Sequence, residues 1–241
     1  IIPPSVVAGK WGSTGRDLAE AIALSHLVTG YIKAHTGRLT PVCGCAIAAG
    51  MGHFKFMCES SSGIYMNGPM VTAANEGKVM ESSDIGGFKV HSEKTGLASF
   101  VYSDEDKCID AIRNLIEYIP GYHEESESFD DPNRTETELD NMAKVSDNGY
   151  NVVEVIKLIV DNDSFLEVSS GYATGVVTAL AKLEGYPVAV IANNSKRMDS
   201  RMAQKLSTFI KSCDVLELPL ISFVDCQGYS IGLEHEYSDI I

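Results

Sequence analysis

The sequence predicts an α/β fold: mixed sheets layered with helices, in two lobes of which the first is the less complete. Three observations point there. Near-continuous apolar runs at 188–192 and 220–224 suit strands covered by other layers on both faces. Two longer stretches, 104–118 and 202–216, repeat apolar residues at helical spacing. The order strand, strand, helix, strand in the second half then suits a mixed sheet with helices packed on it.

The elements follow in order. Residues 1–16 are rich in Pro and Gly and read as irregular. Leu18, Ile22, Ser25, Val28 and Ile32 recur at helical spacing over 17–36, and Gly37 is a fitting stop. The small-residue run Cys43-Gly44-Cys45-Ala46-Ile47-Ala48-Ala49-Gly50 lets backbones approach closely. Residues 54–66 read as extended, Gly68-Pro69 as a turn, and 86–96 as an acidic loop before a short strand at 99–102. The helix over 104–118 has Asp104 as its N-cap and a stripe of Ile109, Ile112, Leu115, Ile116 and Ile119, and Pro120 stops it. Residues 121–149 hold nine acidic side chains among Ser, Asn and Pro, a composition that predicts a solvated connector.

The second half is more regular. A helix is expected over 152–160 and a strand over 165–168. The segment 176–183 suits helix or strand, and Val176, Val177 and Thr178 favour a strand. With Glu184-Gly185-Tyr186-Pro187 as a turn, 176–192 becomes a hairpin. The helix over 202–216 carries Leu206, Phe209, Ile210 and Cys213, and Cys213 falls on its apolar stripe as a core residue. A buried strand at 220–224 ends at Asp225. The expected organisation is an atypical segment 1–51, a first lobe 52–120, the connector 121–149 and a second lobe 150–241.

Composition excludes several function classes. Lys and Arg number 19 against 33 Asp and Glu, a net charge of −14 that repels nucleic acid. No apolar run reaches the ~18 residues of a membrane span. The opening Ile1-Ile2-Pro3-Pro4 lacks the basic start of a signal peptide, and lacks Met. Six cysteines in a chain of this kind are expected as free thiols, with the cytoplasm as compartment.

Several ordered motifs carry a resemblance. Gly171-Tyr172-Ala173, Val177-Thr178-Ala179 and 183–193 are followed by 209–214, 218–225, Gly228-Tyr229, Gly232 and Glu236-Tyr237. Earlier in the chain stand Tyr65-Met66-Asn67-Gly68-Pro69, Glu76-Gly77, Ile85-Gly86-Gly87-Phe88-Lys89-Val90-His91, Lys94-Thr95-Gly96-Leu97-Ala98 and Tyr118-Ile119-Pro120. Together, over about 52–241, they resemble the carboxyltransferase domain of biotin-dependent acyl-CoA carboxylases and decarboxylases. The two lobes would then be partial N- and C-terminal carboxyltransferase halves with crotonase-like folds.

The resemblance implies transfer of a carboxyl group between carboxybiotin, held on a separate carrier, and an acyl-CoA. It implies as partners a biotin carboxyl carrier protein, carboxylase or decarboxylase subunits and further copies of the chain. Such transfer passes through an enolate, whose negative charge is best met by backbone N–H donors in turns of small residues. The catalytic candidates are therefore Ala49 and Gly50 in the N-half and Gly228 and Tyr229 in the C-half. Gly171, Tyr172, Ala173, Asn193, Asn194 and Asp225 are the substrate- and biotin-binding candidates, and no metal is expected. His91 is read as structural or solvated, since no catalytic partners are legible around it.

Departures from the family pattern also stand out. Gln227 and Ile231 replace two prolines of the loop, Asp239 replaces a Gly, and the loop from Asn194 to Asp199 is short. The family's second Gly-Gly turn would lie past Ile241, so the active site is expected to be incomplete within this chain. A catalytically inactive assembly module is the first alternative. A second comes from 18–51, where 23–29, 31–33 and 37–50 resemble the L-cysteine desulfidase and serine dehydratase α family of iron–sulfur β-eliminating lyases. Only Cys43 and Cys45 match there, and a cluster needs three or four thiolates together.

Overall fold

The computed structural model describes Ala46, Gly50 and residues 52–60, 62–120, 130, 137–144 and 150–238. They fall into two compact units that divide between Asn114 and Leu115. The expected helix over 17–36, and Ala49, Cys43 and Cys45, lie outside the described residues.

In the first unit, β1 (Phe56–Cys58) pairs in parallel with β2 (Phe100–Tyr102). Aromatic side chains define this pair: the Phe56 and Phe100 rings stack with centroids 4.8 Å apart. Of the stretch 54–66, expected as extended, only 56–58 is strand. Gly68-Pro69 opens α1 (Pro69–Glu76) rather than forming a free turn. Proline at the first helical position loses no hydrogen bond, because that N–H would be unpaired anyway. Gly77 ends the helix in the left-handed region at φ 66°.

The stretch 86–96, expected as an acidic loop, is largely helical and carries Lys89 and Lys94 against the one Glu93. It holds the end of α2 (Ser82–Gly86) and a π-helical turn at Val90–Lys94. A tight corner explains this. Ile64 N–H donates to the Gly86 carbonyl at 2.8 Å, and His91 Nε2 lies 2.8 Å from the Ile64 carbonyl. A carbonyl only accepts, so Nε2 carries the proton, and Nδ1 is left to accept from Thr95 Oγ1 at 3.0 Å. His91 is thus a buried structural residue and not part of an exposed loop. Asp104 caps α3 (Glu105–Ile116) as expected, accepting from Lys107 N–H at 2.9 Å.

The second unit is built on a four-stranded sheet of order β3-β4-β5-β6, from Leu166–Glu167, Val176–Leu183, Tyr186–Asn193 and Leu220–Phe223. The first two pairings are antiparallel and the last is parallel. The expected hairpin is present. Leu183 pairs with Tyr186, and the two turn residues Glu184 and Gly185 both have positive φ, which matches the right-handed twist of the strands. Asp161 fixes that turn by accepting from Glu184 N–H at 2.9 Å and Gly185 N–H at 2.8 Å.

Strand alternation places Val177, Ala179 and Ala181 on one face of β4, with Val188, Val190 and Ala192 of β5 beside them. Val152 and Ile156 of α5 (Val152–Ile159), and Val160 beyond it, cover this face. α6 (Ser200–Val215) packs on β4, and Phe209 and Cys213 of its stripe are buried as expected. β6 differs from its expectation. It is an edge strand: Ile221 and Phe223 pack on the core, but Leu220 is 43% exposed and Val224 77%. A near-continuous apolar run does not by itself distinguish a covered strand from an edge strand.

The stretch 121–149, expected as a connector, contains α4 (Thr137–Lys144) and Asp130, which accepts from Asn162 N–H at 2.7 Å and from its side-chain amide at 2.9 Å. A short helix, α7 (Leu233–Glu236), follows β6. No described helix is long and apolar enough to cross a membrane.

Candidate functional site

Parallel pairing of β5 and β6 makes their chains leave the sheet at the same end, the usual position of sites in α/β folds. The two outgoing loops are laced together by backbone bonds. Gln227 N–H donates to the Lys196 carbonyl at 2.8 Å, Met198 N–H to Gly228 at 3.0 Å, and Ser230 N–H to Met198 at 2.8 Å. The Arg197 guanidinium adds a bond to the Tyr229 carbonyl at 3.0 Å.

A third loop, 169–175, joins them. Asn194 N–H donates to the Gly175 carbonyl at 2.9 Å and its side-chain amide to Thr174 at 3.3 Å. A Cβ at Gly175 would meet Ser195 Oγ at 2.8 Å and the Met202 thioether, so a side chain here would have to displace both. Within the loop, Tyr172 N–H donates to Ser169 and Val176 N–H to Ala173, both at 3.1 Å. Ser169 and Ala173 sit at φ 53° and 44°, a strained region for residues with side chains.

Eight of the ten candidates therefore gather at one end of one sheet: Gly171, Tyr172, Ala173, Asn193, Asn194, Asp225, Gly228 and Tyr229. Their surroundings differ. Tyr172 is buried, whereas Gly171, Asn194, Asp225 and Tyr229 are exposed. Gly228 lies at φ 115° with nothing within 4 Å of where a Cβ would stand, while its N–H donates to Cys226 Sγ at 3.3 Å and its carbonyl accepts from Met198 N–H. Asp225 accepts from the Tyr150 hydroxyl at 3.1 Å, and burial together with this bond raises the phenol's pKa. Gly50 is an exposed helical residue of the first unit.

Sequence reasoning missed Tyr150, Arg197 and Lys205. The Lys205 ammonium donates to the Tyr172 carbonyl at 2.8 Å and to Val176 at 3.0 Å from a buried position. One signal was available: Lys205 stands four residues before Phe209 and eight before Cys213, on the buried stripe of α6.

The sequence profile of the carboxyl transferase domain matches residues 22–241. The chain belongs to the carboxyl transferase domain family. Its relatives include the alpha subunits of methylmalonyl-CoA decarboxylase from Veillonella parvula and Propionigenium modestum. Both are 32% identical, over 82% and 98% of this chain and 41% and 49% of theirs. The transcarboxylase 12S structure, a hexamer with methylmalonyl-coenzyme A and methylmalonic acid bound, aligns with TM-score 0.76 at 26% identity. That alignment covers 93% of this chain and 46% of the other. The fold is accordingly the crotonase-like α/β fold, and this carboxyl transferase chain spans about half the length of the relatives it matches. The family match also runs through 22–51, and the resemblance of that segment to the iron–sulfur lyases finds no support in these comparisons.

Proposed function

We propose that the chain supplies part of a carboxyltransferase centre that moves a carboxyl group between carboxybiotin and an acyl-CoA. The observation that carries this reading is the meeting of 169–175, 194–199 and 225–230 at the carboxyl ends of β5 and β6, in a member of this family. Carboxybiotin brings the carboxyl group on its separate carrier. The open space beside the Gly228 Cα fits the close approach of such a ligand. The peptide N–H groups of Tyr229 and of Gly228, the latter released from Cys226 Sγ, stabilise oxygen-centred negative charge there. Ala49 and Gly50 are the donors to the other oxygen. Preorganised donors of this kind are worth roughly 3–4 kcal/mol of barrier each. Gly171, Tyr172, Ala173, Asn193, Asn194 and Asp225 hold and orient the substrates around that point.

The same reading makes the chain a cytoplasmic subunit that works with a biotin carboxyl carrier protein, a partner carboxylase or decarboxylase subunit and further copies of itself. Relatives named as subunits, and a hexameric one among the solved structures, support multi-subunit assembly. The test pairs carboxylated carrier with propionyl- or acetyl-CoA, or uncarboxylated biotinyl carrier with methylmalonyl-CoA, and follows carboxyl transfer with and without the other half of a relative's subunit. Transfer in the complemented mixture is expected. Its absence in both mixtures, with the protein folded, removes the enzymatic reading. Light scattering separates the alternative: an inactive but oligomeric chain is an assembly module.

A further inference from the structure

We infer that Lys205 is a positioning residue for the 169–176 loop, its buried ammonium clamping the Tyr172 and Val176 carbonyls and so fixing which way the loop's peptide N–H groups face. Its contribution to turnover rests on the acyl-CoA reading above; the clamp itself does not.

The loop consists of two tight turns set end to end. The first closes from Tyr172 N–H to the Ser169 carbonyl, the second from Val176 N–H to Ala173. Each contains a residue with a side chain held at positive φ, Ser169 and Ala173. Such conformations persist only where the surroundings over-determine them. Lys205 takes hold of the closing residue of each turn, by the Tyr172 carbonyl at 2.8 Å and the Val176 carbonyl at 3.0 Å. The bracing extends further, because Asn194 N–H docks on the Gly175 carbonyl within the second turn.

Burial makes this an expensive way to fill a helix stripe. Lys205 is 6% exposed, and among the described residues its hydrogen-bond partners are these two carbonyls. A leucine or methionine would pack the same stripe without desolvating a charge. Desolvation lowers the ammonium to about 8, with Glu167 on β3 pulling weakly the other way. The loop carries only Tyr172, bonded through its carbonyl, β4 carries none from Val176 to Ala181, and α6 has Arg201 one turn earlier, exposed.

The experiment labels the chain with carbon-13 and follows the Tyr172 and Val176 carbonyl resonances from pH 6.5 to 9.5. In the wild-type chain both should move together with one midpoint near 8, and in Lys205→Met that midpoint should vanish. No common midpoint in the wild type, or its survival in the variant, overturns the clamp. The wild-type titration decides even where the variant fails to fold. Calorimetry with propionyl-CoA at pH 7 then reads the positioning. At least fivefold weaker binding by Lys205→Met is expected, and equal affinity of the two proteins overturns the role. A wild-type chain that does not bind propionyl-CoA sinks the functional reading instead, and the carbonyl titration still judges Lys205.

Discussion

Gly86 has no room for a side chain. An added Cβ would run into the Ile64 carbonyl, which also takes the His91 proton, and would press on the Tyr65 ring. Gly86→Ala should therefore open the corner that joins Ile64 to the π-helical turn and cost about 1–3 kcal/mol, as overpacking usually does. A urea midpoint unchanged from wild type would refute it. Asp161 is the matching case in the second unit. Asp161→Ala leaves the Glu184 and Gly185 N–H groups without their acceptor, and Gly185 is buried. Thermal unfolding should register a loss of about 1–3 kcal/mol. Residue roles were unevenly legible in the sequence. The eight gathered candidates could be named in advance because they fall in the motifs that carry the family resemblance, at the ends of strands legible from their apolar runs. Tyr150, Arg197 and Lys205 could not, because each acts through a carbonyl or carboxylate that is distant in sequence.

At the scale of elements, α5 is held by one side chain above others. Ile156 has no exposed surface and sits among Val152, Val160, Val177, Ala179 and Val190. Ile156→Ala should cost about 2–5 kcal/mol, read from chemical denaturation, with the spread set by how far the sheet collapses onto the cavity. A cost below 1 kcal/mol would mean that α5 is not a core layer. The long elements were legible because their periodicity is strong: α3, α5, α6 and the β4–β5 hairpin lie where apolar spacing and turn residues put them. The misread elements are short and locally ambiguous. Gly68-Pro69 suits a turn and a helix start equally. The 86–96 stretch looks polar because its helical turns bury only Gly86, Gly87 and His91. β6 has the composition of a covered strand, and only its place in the strand order makes it an edge.

For the whole molecule, buried ionisable groups set the response to alkali. Desolvation lowers Lys55 and Lys205 from 10.5 to about 8, so the folded chain releases those protons before the unfolded chain does. Between about pH 8 and 10.5 the unfolded state binds more protons, and stability from these groups rises with pH. Burial, the leading cause in each case, raises Cys108 and Cys213 from 9.0 and Tyr118 from 10.0 to about 12. There the folded state holds the extra protons, so stability falls as pH climbs from about 9 to 12. The two trends together give an expected gain in melting temperature just above pH 8 and a decline past pH 10; a monotonic fall from pH 7 would contradict the lysine assignments. The parallel pairing of β5 with β6 has a consequence in time. The β4–β5 hairpin closes over two residues, whereas β6 can dock only after the chain has threaded all 16 residues of α6. The hairpin should zip early and the edge strand arrive late. Because 225–230 is stitched to 194–199 only once β6 is seated, the loops become competent at the last folding event. Pulse-labelled amide exchange during refolding should find 221–223 protected after 188–192.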